Sequence, residues 1–264
     1  MSTAPDGTAR LCCSGVTIGF GSRLVQRDLT FSVRRGSVFA LMGPSGCGKS
    51  TLLRAMIGLL RPLDGSVTVD GEDLWTASAE RRREIGRRVG ILFQSGALWS
   101  SMTLAENVAL PLQMFTTLDA AAIDELVRLK LSLVGLAGAG GQMPSELSGG
   151  MRKRAGLARA LALDPGILFF DEPSAGLDPV ASSRLDELIL ELRDGLGATV
   201  VIVSHELASL FAICDDGIFL DPETKTAVAH GAPRALRDTC DVQQVRDFMR
   251  RDPSDARAGP PACA

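Results

Sequence analysis

No apolar run in this 264-residue chain approaches the roughly 18 residues that a membrane-spanning helix needs, and Met1 to Arg10 hold no apolar signal core. The chain is therefore expected to stay in the cytoplasm. An excess of basic charge is missing too. The formal net charge is −3 and the pI is near 5.5, so there is no general electrostatic case for a nucleic-acid partner. Six cysteines (Cys12, Cys13, Cys47, Cys214, Cys240 and Cys263) are scattered without the C-x-x-C spacing of a zinc site and read as reduced thiols. Histidine is nearly absent, with only two residues, so each one needs an explanation. Apolar residues are plentiful: a hydrophobic content of 45% supports one large domain or two small ones with a substantial core.

Short β-rich pieces, Val16 to Phe20, Asp28 to Val33 and Ser66 to Asp70, dominate the first part of the chain. Later runs are continuously apolar: Val38 to Met42, Val89 to Phe93, Ile167 to Phe170 and Thr199 to Val203. Strands buried on both faces of an α/β sheet have this composition. Helical patterns lie between them. Leu185, Leu188, Ile189, Leu192 and Leu196 share one face, and Asp119 is placed to cap a helix carrying Ile123, Leu126 and Val127. Residues 96–160 hold no comparable buried strand and read as a helical insert in the α/β core. After residue 237 come a short polar helix, Val242 to Arg250, and a Pro/Gly/Ala-rich tail expected to be disordered.

Gly43-Pro44-Ser45-Gly46-Cys47-Gly48-Lys49-Ser50 has the G-x-x-x-x-G-K-[ST] spacing of a phosphate loop, and it stands between a strand and a helix beginning near Thr51. In such a loop backbone N–H groups wrap a triphosphate, the lysine reaches the β- and γ-phosphates, and the hydroxyl after it ligates Mg²⁺. The helix presents its positive end to the phosphates. Cys47 has two readings, a small loop filler or a thiol whose oxidation blocks the loop.

Asp171 and Glu172 follow the apolar run Ile167 to Phe170, which sets both acids at the C-terminal end of a buried strand, where parallel α/β sheets bind ligands. Asp171 is placed to hold Mg²⁺ and Glu172 to orient and polarise an attacking water. His205 ends the next buried strand and suits either a γ-phosphate contact or a surface position at a helix start. Gln94 closes the strand Val89 to Phe93 and can approach metal or water from the side. The turn Ser148-Gly149-Gly150 opens another helix with bare backbone donors and a hydroxyl. One triphosphate cannot occupy both loops of a single fold when a helical insert separates them, so a second copy must bring its loop across. A dimer is predicted.

This ordered set resembles the ATP-binding cassette (ABC) ATPases. The resemblance spans residues 11 to about 235 and is carried by the phosphate loop, Gln94, Leu147-Ser148-Gly149-Gly150, Phe169-Phe170-Asp171-Glu172-Pro173, Ser174-Ala175-Gly176-Leu177-Asp178 and Ser204-His205. It implies a P-loop NTPase core of RecA-like α/β type, with an N-terminal antiparallel β subdomain and an inserted α-helical subdomain. The ATP-binding domain would cover residues 11–236, followed by a partly disordered extension, 237–264. It further implies a homodimer sandwiching two ATP molecules with Mg²⁺. Gly43 to Thr51 would hold each nucleotide in cis, while Ser148, Gly149 and Gly150 would reach it in trans. Phe20 would stack on adenine, in competition with a core position. His205 becomes the γ-phosphate switch and Asp178 a contact across the dimer. Met151 departs from the usual Gln, so one polar contact to the partner's nucleotide is lost.

Gln94-Ser95-Gly96-Ala97-Leu98-Trp99, the segment Leu147 to Ala155, Ala229-His230-Gly231 and Val245 to Met249 look like one subgroup, the ATPases of lipid-handling systems that work with MCE-domain lipid-binding proteins. That subgroup, which includes the Mla phospholipid transporters, implies transmembrane permease partners and a peripheral place on the cytoplasmic face of the inner membrane. It also implies a C-terminal extension reaching a neighbouring ATPase. The segment Ser95 to Leu112, with Leu98, Trp99 and Met102, would be the permease-docking surface; Trp99 as core is the competing reading. Arg81-Arg82-Arg83 with Arg87-Arg88 reads as a solvated helix face or as a lipid-headgroup contact. Lipoprotein extraction or multidrug export is the alternative within transport. A soluble cassette acting on DNA or ribosomes is disfavoured by the acidic pI and by the lack of long coiled coils or a second cassette.

Overall fold

A computed structural model describes residues 9–250 as two β-sheets with helices packed on them. The Pro/Gly/Ala-rich tail and Cys263 lie outside the described residues. A long hairpin, β1 (Ala9–Phe20) and β2 (Arg23–Arg34), starts an antiparallel sheet completed by β4 (Asp64–Val69) and β5 (Glu72–Asp73) in the order β2-β1-β4-β5. Both hairpin strands are longer than their sequence suggests. The pairing of β1 with β2 shifts register between Cys13 and Val16, where Gly15 has a φ of 60°, and this bulge breaks the alternation that would reveal one continuous strand.

The second sheet runs β10-β9-β3-β8-β7-β6, with β3 (Val38–Met42), β6 (Val89–Leu92), β7 (Ile167–Asp171), β8 (Thr199–Val203), β9 (Asp216–Asp221) and β10 (Thr226–His230). All its strands are parallel except β10, which pairs antiparallel with β9. Side chains of this sheet alternate between two cores. Phe39, Leu41, Phe169, Val201 and Val203 pack towards the antiparallel sheet together with Leu52, Leu53 and Met56 of α1 (Lys49–Met56). Ala40, Met42, Leu168, Phe170, Val200 and Ile202 pack on the opposite side with buried residues of most of the later helices, Val108, Val127, Leu157, Ile189 and Leu210 among them. Two-sided burial is the physical reason these strands read as unbroken apolar runs.

The helices begin where the side chains dictate. Thr103 and Glu106 form a reciprocal capping box at the start of α3 (Leu104–Phe115), Asp119 Oδ1 accepts the Ala122 amide at 2.9 Å to open α4 (Ala120–Leu133), and Ser148 caps α5 (Gly149–Ala160). Asp178 caps α6 (Pro179–Leu196), whose Leu185, Ile189 and Leu192 are buried. Leu196 departs from that face. As the last helical residue before the left-handed Gly197 it is 56% exposed.

After β10 the chain forms α8 (Pro233–Thr239), which runs across the boundary drawn at residue 237, and α9 (Gln243–Met249); the short α7 (Leu207–Ile213) precedes β9. The last helix is amphipathic, not polar. Val245, Phe248 and Met249 are buried in the same core as α5 and α6, with Phe248 edge-on to Phe219 at 5.1 Å.

At the sheet edge His230 Nε2 lies 3.3 Å from Asp216 Oδ2, and this hydrogen bond raises the imidazole above its ordinary range. Burial works to raise the Asp216 carboxyl, but His230 and the Gly217 amide outweigh it and leave the group below its ordinary value. The raised histidine stabilises the fold fully below about pH 6.5, and that contribution fades as pH climbs through the raised value. The depressed aspartate contributes above about pH 4, and its share fades as pH falls. His230 should therefore titrate above 6.5 by NMR, and His230→Gln should flatten the fall in urea midpoint as pH rises above about 6.5. A His230 midpoint at or below 6.5 would contradict the pairing.

Candidate functional site

Parallel strands deliver their C-terminal ends to one edge of the sheet, and the order β3-β8-β7-β6 sets four predicted elements along it. These are the phosphate loop after β3, Ser204-His205 after β8, Asp171-Glu172 ending β7, and Gln94 just past β6.

The loop itself is held by close backbone approaches. Gly43 has a φ of 137°, and a Cβ there would meet Leu220 O at 2.4 Å; Gly48, with a φ of 103°, would meet Val25 Cγ1 at 2.5 Å. A side chain at Gly43 would have to displace the backbone of β9, and one at Gly48 would have to displace the Val25 side chain while holding a left-handed φ. Gln26 of β2 is fully buried, and its Nε2 donates to Cys47 O at 2.7 Å and Asp221 O at 3.0 Å. Lys49 is also buried and donates to Gly43 O at 2.8 Å and Pro44 O at 3.0 Å, so its ammonium lies folded over the loop. The Cys47 thiol is buried and pushed up by that burial, with Lys49 opposing, which favours the filler reading over a reactive thiolate.

Ser50 Oγ donates to Asp171 Oδ1 at 2.9 Å. A hydroxyl and one carboxylate are hard oxygen donors of the kind Mg²⁺ takes beside substrate phosphates. Among the described residues no cluster of three or more His, Cys, Asp or Glu is arranged to hold a metal, so this pair fits a shared ion and not a caged one. Next to it, His205 Nδ1 lies 2.7 Å from Glu172 Oε2, so the imidazole and the carboxylate meet directly. Glu172 has a φ of 52°, left-handed and strained for a residue with a side chain. His205 is 55% exposed, reaching out from the sheet edge.

Ser148, Gly149 and Gly150 are not brought to this edge cluster. They line a cavity of about 360 Å³ with Gly176, Asp178, Val180 and Arg184, and no residue of the phosphate loop shares its wall. Ser148 Oγ accepts the Met151 amide at 3.2 Å, and Asp178 Oδ1 accepts the Val180 and Ala181 amides at 3.0 Å each. Phe20 ends β1 at 51% exposure and Trp99 stands at 58%, so neither is core. The Trp99 loop is tied to α3 despite its exposure. Buried Asn107 accepts the Trp99 amide at 2.8 Å and donates to the carbonyls of Trp99, Met102 and Thr103.

In α2 (Ala79–Arg87) and just beyond it, four of the five clustered arginines are engaged within the chain. Arg81 pairs with Glu72 and Glu84, Arg88 with Asp70, Arg82 lies over Trp75, and Arg87 over Phe115. The solvated-face reading accounts for them with fewer demands, although Glu72 and Asp70 come from β5 and the turn before it.

Sequence reasoning missed three polar residues: Gln26, Lys153 and Arg159. Arg159 donates to Ala97 O at 2.7 Å and Gly96 O at 3.1 Å, tying the loop after Gln94 to α5. A pair of glycines permits this contact, since a Cβ on Gly156 would lie 2.9 Å from Gly96 O. In an exposed helix Gly→Ala gains about 1 kcal/mol of propensity, whereas overpacking against backbone costs about 1–3 kcal/mol. The clash is with main chain, which cannot rotate away. Gly156→Ala should therefore lower unfolding free energy by up to about 2 kcal/mol in urea titration, and a stabilised variant would refute the close packing.

A family model described as ABC transporter matches residues 26–175. The chain is 44% identical over 236 residues to the "Probable ribonucleotide transport ATP-binding protein mkl" of Mycobacterium tuberculosis, an alignment covering 89% of this chain and 65% of the relative. It is equally 44% identical, over 229 residues, to the "Intermembrane phospholipid transport system ATP-binding protein MlaF" of Escherichia coli, covering 87% of this chain and 84% of the relative. The chain thus spans just under two thirds of the mycobacterial relative's length. Among solved structures it is similar to the dimeric post-hydrolysis state of the ATP-binding cassette MJ0796 bound to ADP and Pi, with a TM-score of 0.76 and 26% identity, covering 84% of this chain and 98% of that one.

Proposed function

The chain belongs to the ABC transporter family, and from that premise we propose that it is the ATP-hydrolysing subunit of a phospholipid transport system, working as a homodimer on the cytoplasmic face of a membrane permease. The observation that carries the hydrolytic reading is the sheet edge, where Lys49, Ser50 with Asp171, and Glu172 with His205 converge. Phospholipid as cargo follows from the likeness to MlaF, which extends over 84% of that protein, more than the 65% matched in the ribonucleotide-transport relative.

Gly43 to Thr51 would cradle the triphosphate with backbone amides, and Lys49 would exchange its two loop carbonyls for phosphate oxygens. Ser50 and Asp171 would hold Mg²⁺, which neutralises charge on the β- and γ-phosphates. Glu172 would fix and polarise the attacking water, its carboxylate standing at the C-terminal end of β7 beside the Ser50–Asp171 pair. His205, beside that carboxylate and reaching outwards, would contact the γ-phosphate and restrict the Glu172 rotamer. Gln94 would approach from the neighbouring strand. Phe20, exposed at the hairpin tip, would stack on adenine.

The separate cavity at Ser148-Gly149-Gly150 supports a site completed by a second copy, with Asp178 at the seam. Trp99, presented on a loop pinned by Asn107, supports permease docking there. An MCE-domain lipid-binding protein would join through the permease. Among the described residues no helix is long and apolar enough to cross a membrane, so the energy of hydrolysis would have to act on such a partner.

If Glu172 polarises the water, Glu172→Gln should keep ATP affinity while hydrolysis drops by about 100-fold or more; near-normal turnover would refute the role. In a shared-site dimer, Ser148→Arg and Lys49→Ala should each be inactive alone, and mixing them should restore activity through heterodimers carrying one intact composite site. Wild-type activity of Ser148→Arg alone would rule out the sharing. For the cargo, purification from detergent-solubilised membranes should recover a permease, an MCE-domain protein and bound phospholipid.

A further inference from the structure

Lys153 sits on α5 five residues beyond the capping Ser148, about 7.5 Å along the helix axis, and only 6% of it is exposed. Its ammonium turns away from solvent towards the turn that follows β7, donating to Ala175 O at 2.5 Å and Glu172 O at 3.3 Å. Burial lowers the ammonium's pKa, against the pull of Glu206 and Glu172. An apolar side chain of similar length would fill this space without the desolvation cost of a cation, so the hydrogen bonds to the turn are the specific gain.

That turn needs holding. Glu172 is left-handed with a φ of 52°, its amide donates to Val203 O at 2.9 Å, and only a long 3.3 Å bond from Ala175 N to Glu172 O closes the bend within the turn. The adjacent Ser174 hydroxyl is buried without a partner. Lys153 therefore grips both ends of a strained four-residue bend, and the first of those residues carries the water-polarising carboxylate.

We propose that Lys153 is a positioning residue for Glu172: by fixing the main chain at Glu172 and Ala175 it sets the direction of the Glu172 carboxylate, and it makes that carboxylate and the Ser148-Gly149-Gly150 turn parts of one rigid unit. The proposal rests on the reading of Glu172 given above. In a shared-site dimer, the turn that touches the partner's nucleotide would thereby sense the geometry at its own subunit's carboxylate. The partner at this site is the chain's own catalytic bend.

The test compares Lys153→Met, Lys153→Arg and Glu172→Gln in the full chain, with hydrogen exchange at the Ala175 and Leu177 amides as a readout independent of turnover. Lys153→Met should lower kcat about 10- to 100-fold with KM for ATP within about twofold, and should speed exchange at both amides. Lys153→Arg should restore most of kcat, and Lys153→Met added to Glu172→Gln should cost nothing more. Wild-type kcat in Lys153→Met would overturn the proposal whatever the exchange shows. A parallel rise in KM, failure of arginine to rescue, or a further loss in the double variant would also overturn it, each indicating a merely structural role. If Glu172→Gln itself turns over normally, the underlying reading of Glu172 fails instead, and that result is distinguishable because it does not involve Lys153.

Discussion

A hydroxyl-to-carboxylate contact, Ser50 Oγ on Asp171 Oδ1, depends on the whole core being in register. The two residues are far apart in sequence: Ser50 lies in the first turn of α1, which the loop after β3 leads into, Asp171 ends β7, and β8 runs between β3 and β7. Their meeting requires Leu41 opposite Val203 and Asp171 opposite Val203 in two successive parallel pairings. A slip of one residue in either ladder would turn the apolar side chains to the wrong core and separate the pair. The dry packing on both faces, with Phe39 and Phe169 on one side and Phe170 on the other, is what pins the registers.

Much of this was legible in the sequence, and for identifiable reasons. Strands buried on both faces are apolar throughout, so Val38 to Met42 and Thr199 to Val203 announce themselves. The phosphate loop does so through glycines that a side chain could replace only by displacing its neighbours, as the approaches at Gly43 and Gly48 show. The helix starts at Asp119 and Ser148 follow from short polar side chains before a helical run, whereas the caps at Thr103 and Asp178 emerge only in the structure.

The hidden parts share a different cause. Gln26, Lys153 and Arg159 act on backbone carbonyls remote in sequence, and a polar residue that bonds main chain looks identical to one facing water until the fold is known. The bulge at Gly15 masked half of the hairpin. Phe20 and Trp99 could not be assigned to core or surface because a single aromatic carries no period, and only the exposure of each settles the matter. The C-terminal helix read as polar because its buried residues, Val245, Phe248 and Met249, are spaced among charges that face outwards.

The same helix also reaches towards the phosphate loop. Gln244 on α9 donates to Asp221 Oδ1 at 2.7 Å, while the carbonyl of the same Asp221 receives the Gln26 amide that also grips Cys47 O. The final helix is therefore only two hydrogen-bonded residues away from the loop that would cradle phosphate. Cutting the chain within α9 would remove the Gln244 contact and with it one support of the Asp221 that Gln26 joins to the phosphate loop, so the far end of the described chain belongs to the scaffolding of that loop.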